Sequence, residues 1–216
     1  MKSVTERVYL TDFILACLAY CLFVGSDSIV KYLGSDYSIV QIIFVNSWFA
    51  LIPIVLYTQT LNGWRKLKKA NFTVHFFRAL TMALALFFGY TGFYRLPMVT
   101  MYSIVFLIPL MITIGSVFFL GEVVRWKRFT AILIGFIGAI ISINPFGTEY
   151  DNYIFLALFC PIFASASYLI VRKYGFKENL FSFLIYGKIL MLVLSLIHIS
   201  EPTRLRRISY AVFCLK

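Results

Sequence analysis

Long apolar stretches alternate with short polar ones along the first nine-tenths of this chain. Runs of spanning length fall at about 12–33, 37–58, 74–95, 98–120, 129–146, 153–172 and 180–197. Each is close to the ~20 residues that a helix needs to cross a ~30 Å hydrocarbon core. Within the runs apolar residues are continuous rather than alternating, and the turns are too widely spaced for a barrel of short strands. The pattern predicts an all-α integral membrane protein with about seven transmembrane helices. The opening "MKSVTERVYLTD" is polar for a dozen residues before a long apolar run, which reads as a first spanning helix and not as a cleaved signal peptide.

The pattern also repeats. Laid so that Leu15 meets Leu156, "LACLAYCLFVGSDSIVKYLG" (15–34) falls on "LALFCPIFASASYLIVRKYG" (156–175), with Leu15/Leu156, Ala16/Ala157, Ser26/Ser167, Ile29/Ile170, Val30/Val171 and Gly34/Gly175 identical. Five helices separate the two copies, and an odd number of spans turns the second copy upside down. Inverted repeats are an architecture of secondary transporters, with the substrate site near the midplane between the repeats.

Composition agrees with a lipid environment. The chain is 61% hydrophobic and 13% charged, with a mean hydropathy of +0.88, against about 25% charged residues in ordinary soluble domains. A net charge of +11 would suit nucleic acid, but the cations sit in short clusters between apolar runs, so no nucleic-acid partner is expected. Those clusters alternate. Lys2 and Arg7 precede the first helix, Arg65, Lys66, Lys68 and Lys69 fill the second connection, Arg125, Lys127 and Arg128 the fourth, and Arg172, Lys173 and Lys177 the sixth. The odd connections are nearly bare, which predicts a cytoplasmic N-terminus in an inner membrane. Cys17, Cys21, Cys160 and Cys214 have no metal or disulfide spacing and read as packing residues. The sequence holds no HExxH, phosphate loop or nucleophile elbow, so neither an enzyme, a metal nor another cofactor is expected, and gradient-driven transport is favoured over ATP-driven transport.

Several ordered features carry a family resemblance: "GSDSIVKYLG" at the end of the first helix, then "VHFFRALTMALALFFGYTGFYRLPMVTMYSIVFLIPL", then "FLGEVVRWKRFTAILIGFIGAIISINP". Within them lie Arg78 early in the third helix, the Leu96-Pro97 turn, a mid-helix Pro109, Gly121-Glu122 at the cytoplasmic mouth, and Gly135, Gly138 and Pro145 in the fifth helix. From about residue 10 to 193 the chain resembles the EamA-type branch of the drug/metabolite transporter (DMT) superfamily. The resemblance implies ten helices in two inverted five-helix repeats, here 1–147 and the beginning of the second at 148–193. It also implies transport of a small polar metabolite by alternating access. Many relatives carry an arginine early in the second helix; here Asn46 stands there.

Asp27, Asn46, Arg78, Tyr90, Tyr102 and Pro109 are the candidate cavity residues. Asp27 is costly within a bilayer, by roughly 2.5–3.5 kcal/mol near its centre, so it should face protein or water. Lys31 is a candidate partner one turn away, and the carboxylate is either a proton-coupling group or half of an interfacial pair. Arg78 and His75 lie at the cytoplasmic end, where Arg78 either snorkels or pairs with Glu122 as a gate. Pro53, Pro109 and Pro161 should kink their helices. Ala131, Gly135 and Ala139 form a small-residue seam on the fifth helix, suited to packing within the bundle or across a homodimer.

The closing stretch is of another kind. "LSLIHISEPTR" translates the codons of a transposase end followed by a sequencing adapter, and "ISYAVFCLK" translates the far end of the same adapter. Residues 194–216 are therefore expected to be adapter read-through. That leaves a charge of +8 over 1–193, a cut seventh helix, and a product that would not transport. Export of an amino acid or related compound is the leading expectation, with uptake of a nucleoside-like metabolite such as S-adenosylmethionine second. A non-transporting membrane interaction protein is the rival of another class, and a seven-helix receptor, suggested by helix count alone, conflicts with the cytoplasmic N-terminus.

Overall fold

A computed structural model describes residues 2–60, 71–143, 152–176, 178 and 180–200. The cations of 65–69, Lys177, the acids of the 147–151 connection, Cys214 and the tail from 201 lie outside the described residues. All regular structure described is helical: α1 (Lys2–Leu33), α2 (Ile39–Thr60), α3 (Phe72–Arg95), α4a (Met98–Val105), α4b (Leu107–Leu120), α5 (Trp126–Ile143), α6 (Tyr153–Tyr174) and α7 (Leu180–Ser200). Five stretches are long and apolar enough to cross a membrane: Thr11–Leu33, Ile39–Thr60, Phe72–Arg95, Met98–Leu120 and Tyr153–Tyr174. In α7 the apolar stretch Ser182–Ile197 is shorter.

Local chemistry explains where the helices stop. Asn71 caps α3 by accepting the Thr73 N–H at 3.2 Å. At the other end Leu96 is extended (φ −98°, ψ 158°), as the residue before a proline must be. Pro97 then opens α4a, where its missing N–H costs nothing. Pro109 lacks the N–H that would bond Val105, and its ring crowds that carbonyl; the helix breaks there, at Phe106. Pro53 and Pro161 instead sit inside uninterrupted helices, so only Pro109 produces a break. Gly121 ends α4b in the left-handed region (φ 68°), a conformation that costs glycine least.

α3 is the centre of the bundle, packing most extensively on α6, then α7, with α1 and α2 also against it. Phe93, Leu96, Met101, Ile104, Ala157 and Cys160 form the core where α3, α4a and α6 meet. A Cβ on Gly92 would lie 2.5 Å from Met101 Sδ and 3.2 Å from Ala157 Cβ, so glycine sets how closely α3 approaches both neighbours. Phe88 stacks on Phe163 at 5.8 Å and contacts Phe159 at 5.3 Å. Cys160 packs in this core as expected, whereas Cys17 and Cys21 are exposed on α1.

Two corners of the chain share one geometry. Leu33 ends α1 and Tyr174 ends α6; Ile39 opens α2 and Leu180 opens α7. Both pairs of bounds keep the offset that lays Leu15 on Leu156. The turn bonds coincide as well: Gly34 N–H to Val30 at 2.9 Å against Gly175 N–H to Val171 at 2.7 Å, and Tyr37 N–H to Leu33 at 2.9 Å against Glu178 N–H to Tyr174 at 3.1 Å.

Candidate functional site

The candidate residues separate into three places. The first joins α1 to α4a, where Tyr102 Oη donates to Asp27 Oδ2 at 3.0 Å, both side chains half-buried. Tyr102 is held by an edge-on contact with Phe93 at 5.2 Å. Lys31, the candidate partner one turn from Asp27, instead reaches across the helix end and donates to the Leu96 carbonyl at 2.7 Å and the Phe93 carbonyl at 3.5 Å. The last carbonyls of a helix have no partner within it, and here an ammonium supplies one while compensating the negative end of the α3 dipole. The Leu96-Pro97 stop signals that need in the sequence, though not which cation meets it. Tyr90 is buried beside Val30, Ile42 and Ile43, in packing and not at an open surface.

The second place lies between α3 and α7. His75, 1% exposed, meets Glu178 at 3.1 Å and is flanked by the rings of Phe183 at 4.5 Å and Tyr186 at 5.3 Å. Glu178 also accepts the Asn71 N–H at 3.2 and 3.3 Å, a carboxylate at a helix N-terminus where the dipole favours it. Arg78 Nη1 donates to the Phe183 carbonyl at 2.5 Å, its guanidinium 5.8 Å from that ring. Its Nε, His75 Nδ1 and Ser182 Oγ are buried with no partner among the described residues. Such orphaned donors and acceptors cost about 1–3 kcal/mol each. Glu122 is not with Arg78: it pairs with Arg172 at 2.9 Å, both side chains well exposed. Of the two readings open for Arg78, snorkelling or a gate pair with Glu122, the structure shows neither pairing with Glu122 nor a free end: Arg78 points along the α3/α7 contact and clamps α7. Neither Glu178 nor Phe183 was singled out by sequence reasoning, since nothing local marks a partner so far along the chain.

The third place is a groove of about 870 Å³ between α1 and α2, lined by apolar side chains together with Ser26, Gln41 and Asn46. Asn46 faces this groove, apart from Asp27 and Arg78, so the three polar candidates are not brought to one point. The seam on α5 is divided: Ala139 is buried, Gly135 lies against Leu110 of α4b, and Ala131 is exposed. Ser103 and Ser142, 2.6 Å apart, fasten α4a to α5. No cluster of three or more metal-ligating side chains occurs among the described residues.

The model of the EamA-like transporter family matches residues 11–144. Over 197 residues the chain is 30% identical to the S-adenosylmethionine uptake transporter of Rickettsia felis, covering 88% of this chain and 64% of that protein. It is 24% identical over 163 residues to the riboflavin transporter of Vibrio cholerae (74% and 55% covered). It is also 21% identical over 174 residues to the pseudopaline exporter of Pseudomonas aeruginosa (80% and 61% covered). The chain thus spans less than two thirds of the length of each. No solved structure matches it.

Proposed function

Because the chain belongs to the EamA-like transporter family of DMT-type membrane transporters, we propose that the full-length protein is a secondary transporter moving a small polar metabolite by alternating access. The substrate read here is an S-adenosylmethionine-like molecule, taken up across the inner membrane. The observation that carries it is the 30% identity to an S-adenosylmethionine uptake transporter, sustained over 88% of the chain. This reverses the ranking drawn from sequence, which placed amino-acid export first. Export remains the second reading, supported by the 21% identity to the pseudopaline exporter.

The offset shared by sequence, helix bounds and turn bonds supports two inverted copies, 1–147 and one beginning at 148, rocking against each other. The alternating Lys/Arg clusters support a cytoplasmic N-terminus. Residues 194–216 we assign to adapter read-through. Asp27 is the residue proposed to meet the cationic part of the substrate or the coupling proton, since it is a half-buried carboxylate in a spanning helix whose partner is a neutral phenol.

The test is uptake of labelled S-adenosylmethionine by vesicles carrying the full-length gene. Saturable accumulation that falls at least tenfold in Asp27→Asn is expected. Counterflow with amino acids alone would move the reading to export. Absence of flux for both, with the protein folded and inserted, would favour the interaction-protein reading.

A further inference from the structure

Arg78 and Lys188 stand together inside the bundle, and no described acid answers them. Glu178 joins the starts of α3 and α7 through His75 and the Asn71 N–H, so depth along both helices counts from the same end. Arg78 is six residues into α3 and Lys188 eight into α7, depths of about 9 and 12 Å at 1.5 Å per residue. The guanidinium lies against α7. Its Nη1 donates to the Phe183 carbonyl at 2.5 Å, and a Cβ at Gly187 would come within 2.7 Å of that nitrogen. Glycine thus lets Arg78 settle beside Lys188, which lies within reach of its charge. Both side chains are half-buried, neither sealed nor open. The described acids are engaged or placed elsewhere. Asp27 accepts from Tyr102, Glu122 pairs with Arg172 and Glu178 meets His75, while Asp12 and Asp36 are exposed. Lys188 makes no ion pair with any described residue, and Arg78 Nε is buried without a partner among them. At that depth Lys188 is no terminal cation reaching for the headgroups, and two like charges inside a span call for an anion between them.

We propose that Arg78 and Lys188 form a seat for a carboxylate, that of the transported substrate. The guanidinium edge at Nε is the one that, with Nη2, grips a carboxylate side-on. Nη1, the remaining nitrogen, is occupied on α7. The ammonium beside it adds a point charge that needs no fixed geometry. This seat is distinct from Asp27, whose partner Tyr102 packs on Phe93. Phe93 is fifteen residues along α3 from Arg78, about 22 Å. One small metabolite does not span both, so the seat holds the acidic end of the substrate at a second station on its route. S-adenosylmethionine has such an end in its α-carboxylate. The inference deepens the reading above and rests on it for the identity of the substrate, not for the anion.

The test uses the full-length protein in mixed micelles, with acetate as the first probe. Sodium acetate is expected to raise the melting temperature by about 3 °C over the same concentration of sodium chloride. Lys188→Gln should abolish that shift and Lys188→Arg keep it. Lys188 is the position to vary, since Arg78→Gln would also loosen the clamp on α7. No acetate shift in the wild type overturns the seat, including the case in which an acid from the part this chain does not span fills it. The second arm is inhibition of labelled S-adenosylmethionine uptake by the unlabelled compound and by its decarboxylated analogue. The wild type is expected to favour the carboxylate-bearing compound at least tenfold, and Lys188→Gln to bring the two within about twofold. Equal weakening of both in the variant would mean a structural lysine and overturn the proposal. An acetate shift with no discrimination in the wild type overturns the assignment to the substrate and puts a free anion in the seat. An acetate shift lost in Lys188→Gln, with no uptake of S-adenosylmethionine at all, would sink the substrate named above and leave the seat standing.

Discussion

Two helix pairs in this molecule are built alike and finished differently. α6 and α7 close on α3 with ring stacking, a buried histidine–carboxylate contact and an arginine clamp. α1 and α2 occupy the equivalent places earlier in the chain and enclose a groove. Both are apolar, and both pairs are joined through the same turn bonds. What separates them is a third helix, and the comparison teaches that the polar groups of a membrane bundle acquire their roles from whatever fills the cleft. Ser167 is buried and bonded to α3, while Ser26 lines an open groove.

Substitutions can break that contrast in the 216-residue chain, read as unfolding free energy in mixed micelles. The largest loss is expected for Phe183→Ala, about 3–5 kcal/mol for a buried ring, because that ring carries both His75 and Arg78. Ile42→Ala, its equivalent, should lose about 2 kcal/mol, since one side already opens on the groove. Equal losses would mean the groove is not open in the bilayer. Next comes Gly187→Leu, which drives a side chain into Arg78 and should cost about 1–3 kcal/mol. Asn46→Leu, on the open side, should stay within about 0.5 kcal/mol, as unobstructed surface changes do.

Glu178→Gln follows, expected to cost about 1–3 kcal/mol by weakening the contacts to His75 and the Asn71 N–H. Tyr37→Phe at the equivalent position should be near neutral, and a comparable loss there would contradict the contrast. The smallest effect is expected from Glu122→Ala. Its exposed pairing with Arg172 should contribute under about 1 kcal/mol, and raising salt should change it little further.

Legibility in the sequence followed the range of the forces involved. The helices were readable because lipid demands long apolar runs, and the Leu96-Pro97 stop because proline constrains its predecessor. The break of the fourth span was readable in kind, through Pro109, but Pro53 and Pro161 show that proline alone does not decide whether a spanning helix divides. The polar partners were not readable. Asp27 faced a choice between Lys31 one turn away and Tyr102 on another helix, and only packing resolves it. His75 meets Glu178, and Glu122 meets Arg172, by bundle geometry alone. Asn46 was marked by contrast with relatives, yet its surroundings depend on the groove and not on its neighbours in sequence.

The attachment of α1 has a consequence for how the chain is made. Residues 11–25 are exposed throughout, and the helix is fastened near its end. Asp27 bonds Tyr102, Lys31 bonds the carbonyls of Phe93 and Leu96, and Gly34 lies against the Tyr94 ring. Every one of those anchors lies between residues 93 and 102. While the ribosome is still adding the second and third spans, α1 therefore has little to hold beyond the packing of Val30 on Ile42 and Ile43. It must wait in the lipid almost alone until the hairpin around Leu96-Pro97 has been synthesised and can receive it.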